Sequence, residues 1–300
     1  MLPNHKTRTS ALIFAVATLA IPVFASAKTQ IPAHYTVSAA AKYDASAVQI
    51  SYVGLAGGLY SNALGAALAL ATSVDALNKV PNAANLDAAR AAWTSARTSY
   101  LATEAFRFYG GPLDGPKTER RAAGPETKIN ANFRLIERAL AAKAPGNASQ
   151  RTALTNAATA IQNDVAFVLK EWDPIRRTGY AQEFLQLDGS EAVGRILRGL
   201  GMQAIILSSA PSDTRASEAA AVLSGMHSIW HGQLNEITAP SIEALLSKID
   251  PNAAAAVSSG IAAAQTQANA KDPALPKTLQ TLALAIANAG TRLGVAIAID

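Results

Sequence analysis

One short segment concentrates charged and aromatic side chains in a chain otherwise rich in alanine. The segment TSYLATEAFRFYGGPLDG, residues 98–115, carries Glu104 and Arg107 just before a Gly-Gly-Pro break. Helical spacing places five side chains of this region on one face of one helix: Trp93, Arg97, Tyr100, Glu104 and Phe108. The aromatic residues predict that this face is buried, and a buried charge needs a partner. Two hypotheses follow: Glu104 pairs with Arg107 or a basic residue of another helix, or it binds a ligand or metal.

A second set of candidate ligands is a pair of histidines. His227 and His231 are four residues apart in SGMHSIWHGQLNEI, so they share a helix face and could bind a divalent ion together. A zinc-peptidase helix needs glutamate directly after its first histidine to activate water, and Ser228 stands there. The alternative is a packed histidine with ordinary hydrogen bonds. A metal site would need acidic partners from elsewhere, and the candidates are Glu104, Asp114 and Glu137.

Several other classes of chemistry are excluded by composition and motifs. The 300-residue chain has no cysteine, which rules out thiolate metal sites, cysteine nucleophiles and disulfides. It has no G-x-S-x-G elbow and no glycine-rich phosphate loop. The formal net charge is +5, but the basic residues are scattered rather than clustered with aromatic ones, which argues against nucleic-acid binding.

The first residues have the pattern of a secretory signal peptide. Lys6 and Arg8 form a positive head, residues 11–24 are apolar, and Ala25-Ser26-Ala27 is an A-x-A cleavage signal. We therefore predict a signal peptide at residues 1–27 and export to the bacterial periplasm. The apolar run is shorter than the ~20 residues of a membrane span. Without a cysteine near the cut, a lipoprotein is not expected, and His34 is expected on the surface of the N-terminal stretch.

Helical periodicity dominates the rest of the chain. Apolar residues recur every three or four positions in three long segments: Leu154 to Trp172, Val193 to Leu207 and Leu275 to Leu293. Asp250-Pro251 and Asp272-Pro273 are typical of helix starts. No run of alternating strand residues stands out, and the sequence predicts an all-α protein of seven to ten helices. The uncharged stretch between Asp44 and Asp75 predicts a buried bundle helix rather than a membrane span, because it contains many polar and small residues.

Two helical bundle-like halves are predicted after the signal peptide. The turn-forming segment APGNASQ, residues 144–150, divides an N-terminal half at residues 28–145 from a C-terminal half at residues 146–300. The segment 110–125 predicts a long loop beside an aromatic helix end, a position that often carries function.

The motifs of the first half resemble those of the imelysin-like family of bacterial envelope proteins, also called peptidase M75. The resemblance is specific in AAWTSARTSYLATEAFRFYGGPLD and KINANFRLIE, and thinner in DVAFVLKEWDP, ILRGLG and PSIEALLSKIDP. It implies an all-helical fold of two halves, a cell-envelope setting and a link to iron uptake. Some members are classed as metallopeptidases. The family's metal motif, G-x-H-x-x-E, is absent here. Its nearest look-alike, TGYAQEFL at residues 178–185, lacks the histidine and has one residue too few between Gly179 and Glu183.

The resemblance implies a ligand-binding site where the TEAFRF helix meets its loop. Its residues would be Glu104, Arg107, Asp114, Asn130 and Glu137. The first functional hypothesis is a non-enzymatic envelope binding protein for iron or another divalent metal, with envelope iron-uptake proteins as partners. The alternative is a metal-free helical module that binds a peptide, glycan or partner protein. A metallopeptidase, acting through a metal-bound water, is the third hypothesis.

Overall fold

The computed structural model describes residues 35–37, 43–107, 125–141 and 147–298. Within these ranges the chain forms ten α-helices, one short 3₁₀-helix and four strands of two or three residues. The predicted all-α class is confirmed. The predicted signal peptide at residues 1–27, and also His34, Phe108 and Asp114, lie outside the described residues.

The helices follow one another along the chain with short connections. They are α1 Ser46–Lys79, α2 Ala83–Leu101, the 3₁₀-helix η1 Glu104–Phe106, α3 Pro125–Ala141, α4 Ala148–Glu171, α5 Tyr180–Leu185, α6 Gly189–Ser209, α7 Ser212–His231, α8 Ile242–Ser247, α9 Pro251–Ala270 and α10 Leu275–Arg292. Strand β1 (Tyr35–Val37) pairs antiparallel with β4 (Val295–Ile297), and β2 (Gln233–Leu234) with β3 (Ile237–Thr238). The sequence showed no run of alternating strand residues here, because these segments are too short to show a period of two.

Helix α1 runs through both hydrophobic cores of the molecule. By length and composition alone it could cross a membrane, a test that core helices of soluble proteins also pass. Its first half, with Tyr52 and Tyr60, packs into a larger core. Its second half, from Ala63 to Leu77, packs into a smaller one. This is the packing expected of the bundle helix predicted between Asp44 and Asp75.

Two separate cores organise the described part of the chain. The small core joins the second half of α1 to α2, α3 and most of α4. The large core joins the first half of α1 to η1, the end of α4 and all helices from α5 to α10. Helix α4 follows the predicted boundary at residue 146, yet Leu154 and Ile161 belong to the small core and Trp172 to the large one. Where separately folding halves would begin stays a prediction.

The two predicted Asp-Pro helix starts have different outcomes. Asp250 caps α9 as predicted, because its carboxylate accepts a hydrogen bond from the Ala253 amide at 3.0 Å and Pro251 opens the helix. Asp272 accepts instead from the Ala274 amide at 2.8 Å, and α10 begins only at Leu275. The predicted start of α10 was therefore too early.

Close backbone contact between α7 and the end of α2 requires a glycine at position 225. A Cβ added to Gly225 would lie 2.8 Å from the carbonyl carbon of Ala102, which is backbone and cannot move aside. We expect Gly225→Ala to lower the free energy of unfolding by about 1–3 kcal/mol, the usual cost of overpacking. Urea denaturation would measure the change.

Gly54 offers a matched control for this substitution. It lies on the exposed side of α1, and a Cβ added there has no neighbouring atom within 4 Å. Gly54→Ala should raise the free energy of unfolding by roughly 0.5–1 kcal/mol, because alanine is the better helix former. Equal shifts of the same sign in both variants would contradict the close contact at Gly225.

Candidate functional site

The TEAFRF segment leaves helix α2 before Glu104. Helix α2 ends at Leu101, and the hydroxyl of Thr103 donates a hydrogen bond to the Tyr100 carbonyl at 2.7 Å. Glu104 then lies in the separate 3₁₀-helix η1, after which Arg107 is extended. The prediction that Glu104 continues the Trp93–Arg97–Tyr100 face was wrong, because the threonine side chain takes a terminal carbonyl and favours a turn.

Helix α6 packs tightly against η1. The side-chain amide of Gln203 donates to the Glu104 carbonyl at 2.9 Å, and this amide is buried. A Cβ added to Gly199 would lie 3.1 Å from the carbonyl oxygens of Ala105 and Arg107. The η1 backbone is therefore fixed by α6 at a small residue and at a buried hydrogen bond.

An aromatic cluster anchors the end of η1 in the large core. The Phe106 ring lies 4.9 Å from that of Tyr52 on α1 and 6.0 Å from that of Trp172 at the end of α4. Phe184 of α5 stacks on Tyr52 at 5.0 Å. These centroid distances are those of favourable aromatic pairs. Phe106 thus anchors η1 in the aromatic cluster of the large core.

Glu104 and Arg107 form an ion pair with little access to solvent. Arg107 Nη1 lies 3.4 Å from Glu104 Oε2, and the two side chains are 19% and 11% exposed. This is the partner that the ion-pair hypothesis predicted one turn on. Whether the pair also contacts a ligand stays a prediction.

Arg97 finds its partners on two other helices. Its Nε donates to Glu218 Oε1 of α7 at 3.0 Å, and its Nη1 donates to the side-chain oxygen of Asn130 on α3. Its guanidinium also lies 5.3 Å from the centre of the Phe133 ring. Sequence reasoning missed Glu218, because no local pattern indicates a partner so far along the chain.

The structure brings together only some of the predicted ligand-binding residues. Glu104 and Arg107 are in contact, whereas Asn130 contacts Arg97 on α2. Glu137 is exposed on α3, beside the face formed by the buried Ile129, Phe133 and Ile136.

The two histidines are neighbours at the end of α7. The ring centroids of His227 and His231 are 4.3 Å apart. His231 Nδ1 lies 2.6 Å from Glu243 Oε2 at the start of α8. Burial, and then the adjacent His231 ring, lower the pKa of His227 from its usual 6.5, although Glu243 opposes this. The neutral imidazole of His227 therefore predominates at neutral pH.

The acidic residue in contact with His231 is Glu243, which was not among the predicted candidates, and of those candidates Asp114 lies outside the described residues. Gly225 faces the end of α2, and His227, two residues on, points about 200° around the helix from it. The histidine pair therefore faces away from the η1 turn that carries Glu104. Within the described residues, no group of three or more His, Cys, Asp or Glu side chains is arranged to hold a metal ion.

Comparison with known proteins finds a family whose model matches part of the chain. Residues 59–147, from the middle of α1 to just before α4, match the model of the imelysin family, peptidase M75. The protein is imelysin-like. A crystal structure from Parabacteroides distasonis, assigned as an iron-regulated protein A precursor, has the same fold with a TM-score of 0.61. The two share 16% identity over 86% of this chain and 96% of that one. No curated protein matches the sequence.

The imelysin-like match separates the two candidate sites. It contains all five predicted ligand-binding residues, which are Glu104, Arg107, Asp114, Asn130 and Glu137. The histidines of α7 and their partner Glu243 lie outside it. The site at η1 therefore belongs to the part shared with the imelysin family, and the histidine site does not.

The look-alike of the imelysin metal motif is built into the core. Residues 178–185 contain helix α5, in which Tyr180 and Phe184 pack around Trp172 at ring distances of 5.2 and 6.2 Å. Ala181 is fully buried beside them, and Glu183 is exposed. This helix has no histidine beside its glutamate. Its buried residues contribute to the large core.

Proposed function

We propose that this protein is an exported, imelysin-like binding protein of the cell envelope, linked to the uptake of iron or another divalent metal, and that it binds rather than cleaves. The resemblance to the imelysin-like family implies the envelope setting, and residues 59–147 match the model of that family. The structural neighbour assigned as an iron-regulated protein A precursor supports the link to iron. The signal-peptide pattern of residues 1–27 supports export.

The burial of Glu104 is the observation that carries the proposal. Among the described residues it is the only buried acidic residue, with 8% of its surface exposed. A carboxylate removed from water costs free energy unless partners or a ligand offset it, and Arg107 Nη1 at 3.4 Å is one such partner. Carboxylate oxygen is also a ligand for iron and other divalent ions. A buried carboxylate in the family-matched segment therefore fits a binding role.

Two features of the sequence support binding over peptide cleavage. The G-x-H-x-x-E motif of the family is absent, and the helix with two histidines has Ser228 where a zinc peptidase has its general base.

Metal analysis of the untagged protein tests the proposal. The protein would be recovered from periplasm, where its intact mass should show that it begins at Lys28. Elemental analysis and calorimetric titration with ferrous, ferric and zinc ions would follow. We expect bound iron at close to one equivalent, reduced at least about tenfold in affinity in Glu104→Gln, because the neutral amide is a weaker ligand than carboxylate.

Glu137→Gln is the matched control. Glu137 lies in the same family-matched segment but is exposed, so its replacement should leave the iron affinity unchanged. A folded protein that contains no iron and gives no binding heat would overturn the proposal. It would favour the metal-free helical module, and the search would turn to peptide, glycan and protein ligands.

A further inference from the structure

The proposed function leaves unused a chain of polar contacts at the end of α7. His227 and His231 stand one turn apart there, and both are partly exposed, His231 with 20% of its side chain. Their ring centroids are 4.3 Å apart, so one ion could reach a nitrogen of each ring. We call these two residues the histidine pair.

Glu243 orients the second ring of the histidine pair. Its Oε2 lies 2.6 Å from His231 Nδ1, and a carboxylate accepts, so Nδ1 is the protonated nitrogen. In the neutral ring this leaves a lone pair on Nε2, the nitrogen directed away from Glu243. A carboxylate on the remote nitrogen is the usual companion of a metal-binding histidine, because it fixes the tautomer and raises ligand basicity.

A further side chain on α9 fixes Glu243 itself. Ser258 donates its hydroxyl proton to Glu243 Oε1 at 2.6 Å and accepts a hydrogen bond from Trp230 Nε1 at 2.9 Å. Trp230 is fully buried in the large core, so this chain of contacts begins on a rigid ring. Its order is Trp230, Ser258, Glu243, His231, and its outer end is the partly exposed histidine pair.

A purely structural role explains less of this arrangement. A hydrogen bond that fastens α7 to α8 needs only His231 and Glu243. It does not account for a second imidazole held beside the first at a solvent-accessible position. The structural role also predicts no response of the histidines to metal ions, and this difference can be measured.

We propose that the histidine pair binds a divalent transition metal of the borderline class, such as Zn²⁺ or Ni²⁺, with Glu243 as a positioning residue and water completing the coordination. Imidazole nitrogen suits these ions, whereas ferric iron prefers oxygen ligands. Two protein ligands make the site weaker and more readily exchanged than a structural zinc site. The site is separate from Glu104 and does not depend on the function proposed above.

Zinc titration of the full-length mature protein without a histidine tag tests this site. We expect one zinc ion per chain by calorimetry, with affinity reduced at least about tenfold in His227→Ala and in His231→Ala. Glu243→Gln should weaken binding by about 10–100-fold. Two controls, His34→Ala and Glu236→Gln, remove a histidine outside the pair and an exposed carboxylate of the adjacent hairpin, and should leave the affinity unchanged.

Nitrogen NMR separates positioning from simple stability. The ¹⁵N shifts of His231 should show a proton on Nδ1 in the wild type and a mixture of tautomers in Glu243→Gln, while zinc should shift the histidine resonances of the wild type. Equal zinc affinity in the wild type and both folded histidine variants, or no zinc binding to the folded wild type, would overturn the proposal. Glu104→Gln should bind zinc at the histidine pair with unchanged affinity. Loss of iron binding at Glu104 can therefore be distinguished from loss of zinc binding at the histidine pair.

Discussion

Replacing Glu104 by alanine is expected to lower the free energy of unfolding by about 3 kcal/mol. The substitution removes a carboxylate whose side chain is 11% exposed and leaves Arg107, 19% exposed, without it. Removing one partner of such a pair costs more than the pair contributes, because the remaining charge is kept from water. The side-chain amide of Gln203 donates its hydrogen bond to the backbone carbonyl of residue 104, so this bond remains in the variant. Urea denaturation followed by circular dichroism would measure the loss.

Two further variants identify the origin of that loss. Glu137→Ala, the same change at an exposed position of α3, should shift the free energy of unfolding by less than about 0.5 kcal/mol. The double variant Glu104→Ala/Arg107→Ala should be more stable than the sum of the single losses predicts, because each single loss already includes the loss of the contact between the two side chains. If Glu104→Ala proves as stable as Glu137→Ala and loses only iron binding, Glu104 is a ligand and not a structural ion-pair partner.

Replacing Trp172 by alanine is expected to cost about 4 kcal/mol of unfolding free energy. The indole is 1% exposed and lies 5.2 Å from Tyr180, 5.8 Å from Tyr52 and 6.0 Å from Phe106, measured between ring centroids. Truncation of a buried tryptophan removes its transfer free energy and leaves a cavity that the surrounding rings fill only in part. Because Phe106 also anchors η1, the variant should weaken ligand binding at Glu104 as well. Thermal and urea unfolding would test the first effect, and metal titration the second.

Phe167 is the matched control on the same helix. It is 49% exposed on α4, so Phe167→Ala removes an aromatic ring without opening a cavity. We expect a change of less than about 0.5 kcal/mol. Similar losses in the Trp172 and Phe167 variants would mean that the aromatic cluster is not the rigid support of η1 that the packing indicates.

Local patterns in the sequence predicted the helical scaffold well. Every residue used to predict the last long periodic segment is buried: Leu275, Leu279, Leu282, Ile286 and Leu293. The same holds for the periodic apolar residues of the other two segments, which are Leu154, Ala158, Ile161, Val165, Val168 and Trp172, and Val193, Leu197, Leu200, Ala204 and Leu207. Asp250-Pro251 marks the start of α9 as predicted. These features depend on neighbours one turn away, so spacing alone is enough to predict them.

The outcome for Glu104 shows where local patterns stop being sufficient. Periodicity placed it two turns beyond Arg97 on one helix, whereas α2 ends at Leu101 and Glu104 follows in η1. The break depends on the Thr103 side chain and on the close approach of Gly225 and Gly199 from two other helices. Arg107 could be named as a candidate partner from the sequence, because it lies only three residues after Glu104.

The sequence by itself determined the all-α class, the resemblance to the imelysin family and the buried faces of the long helices, and it offered Arg107 as one candidate partner of Glu104. Only the tertiary structure decided that Arg97 pairs with Glu218 and that Glu243 stands behind His231. Each of these pairs joins different helices, and its geometry depends on how those helices pack against the two cores. Helical spacing gives the face on which a side chain lies, but the partner across the interface comes from a distant part of the chain.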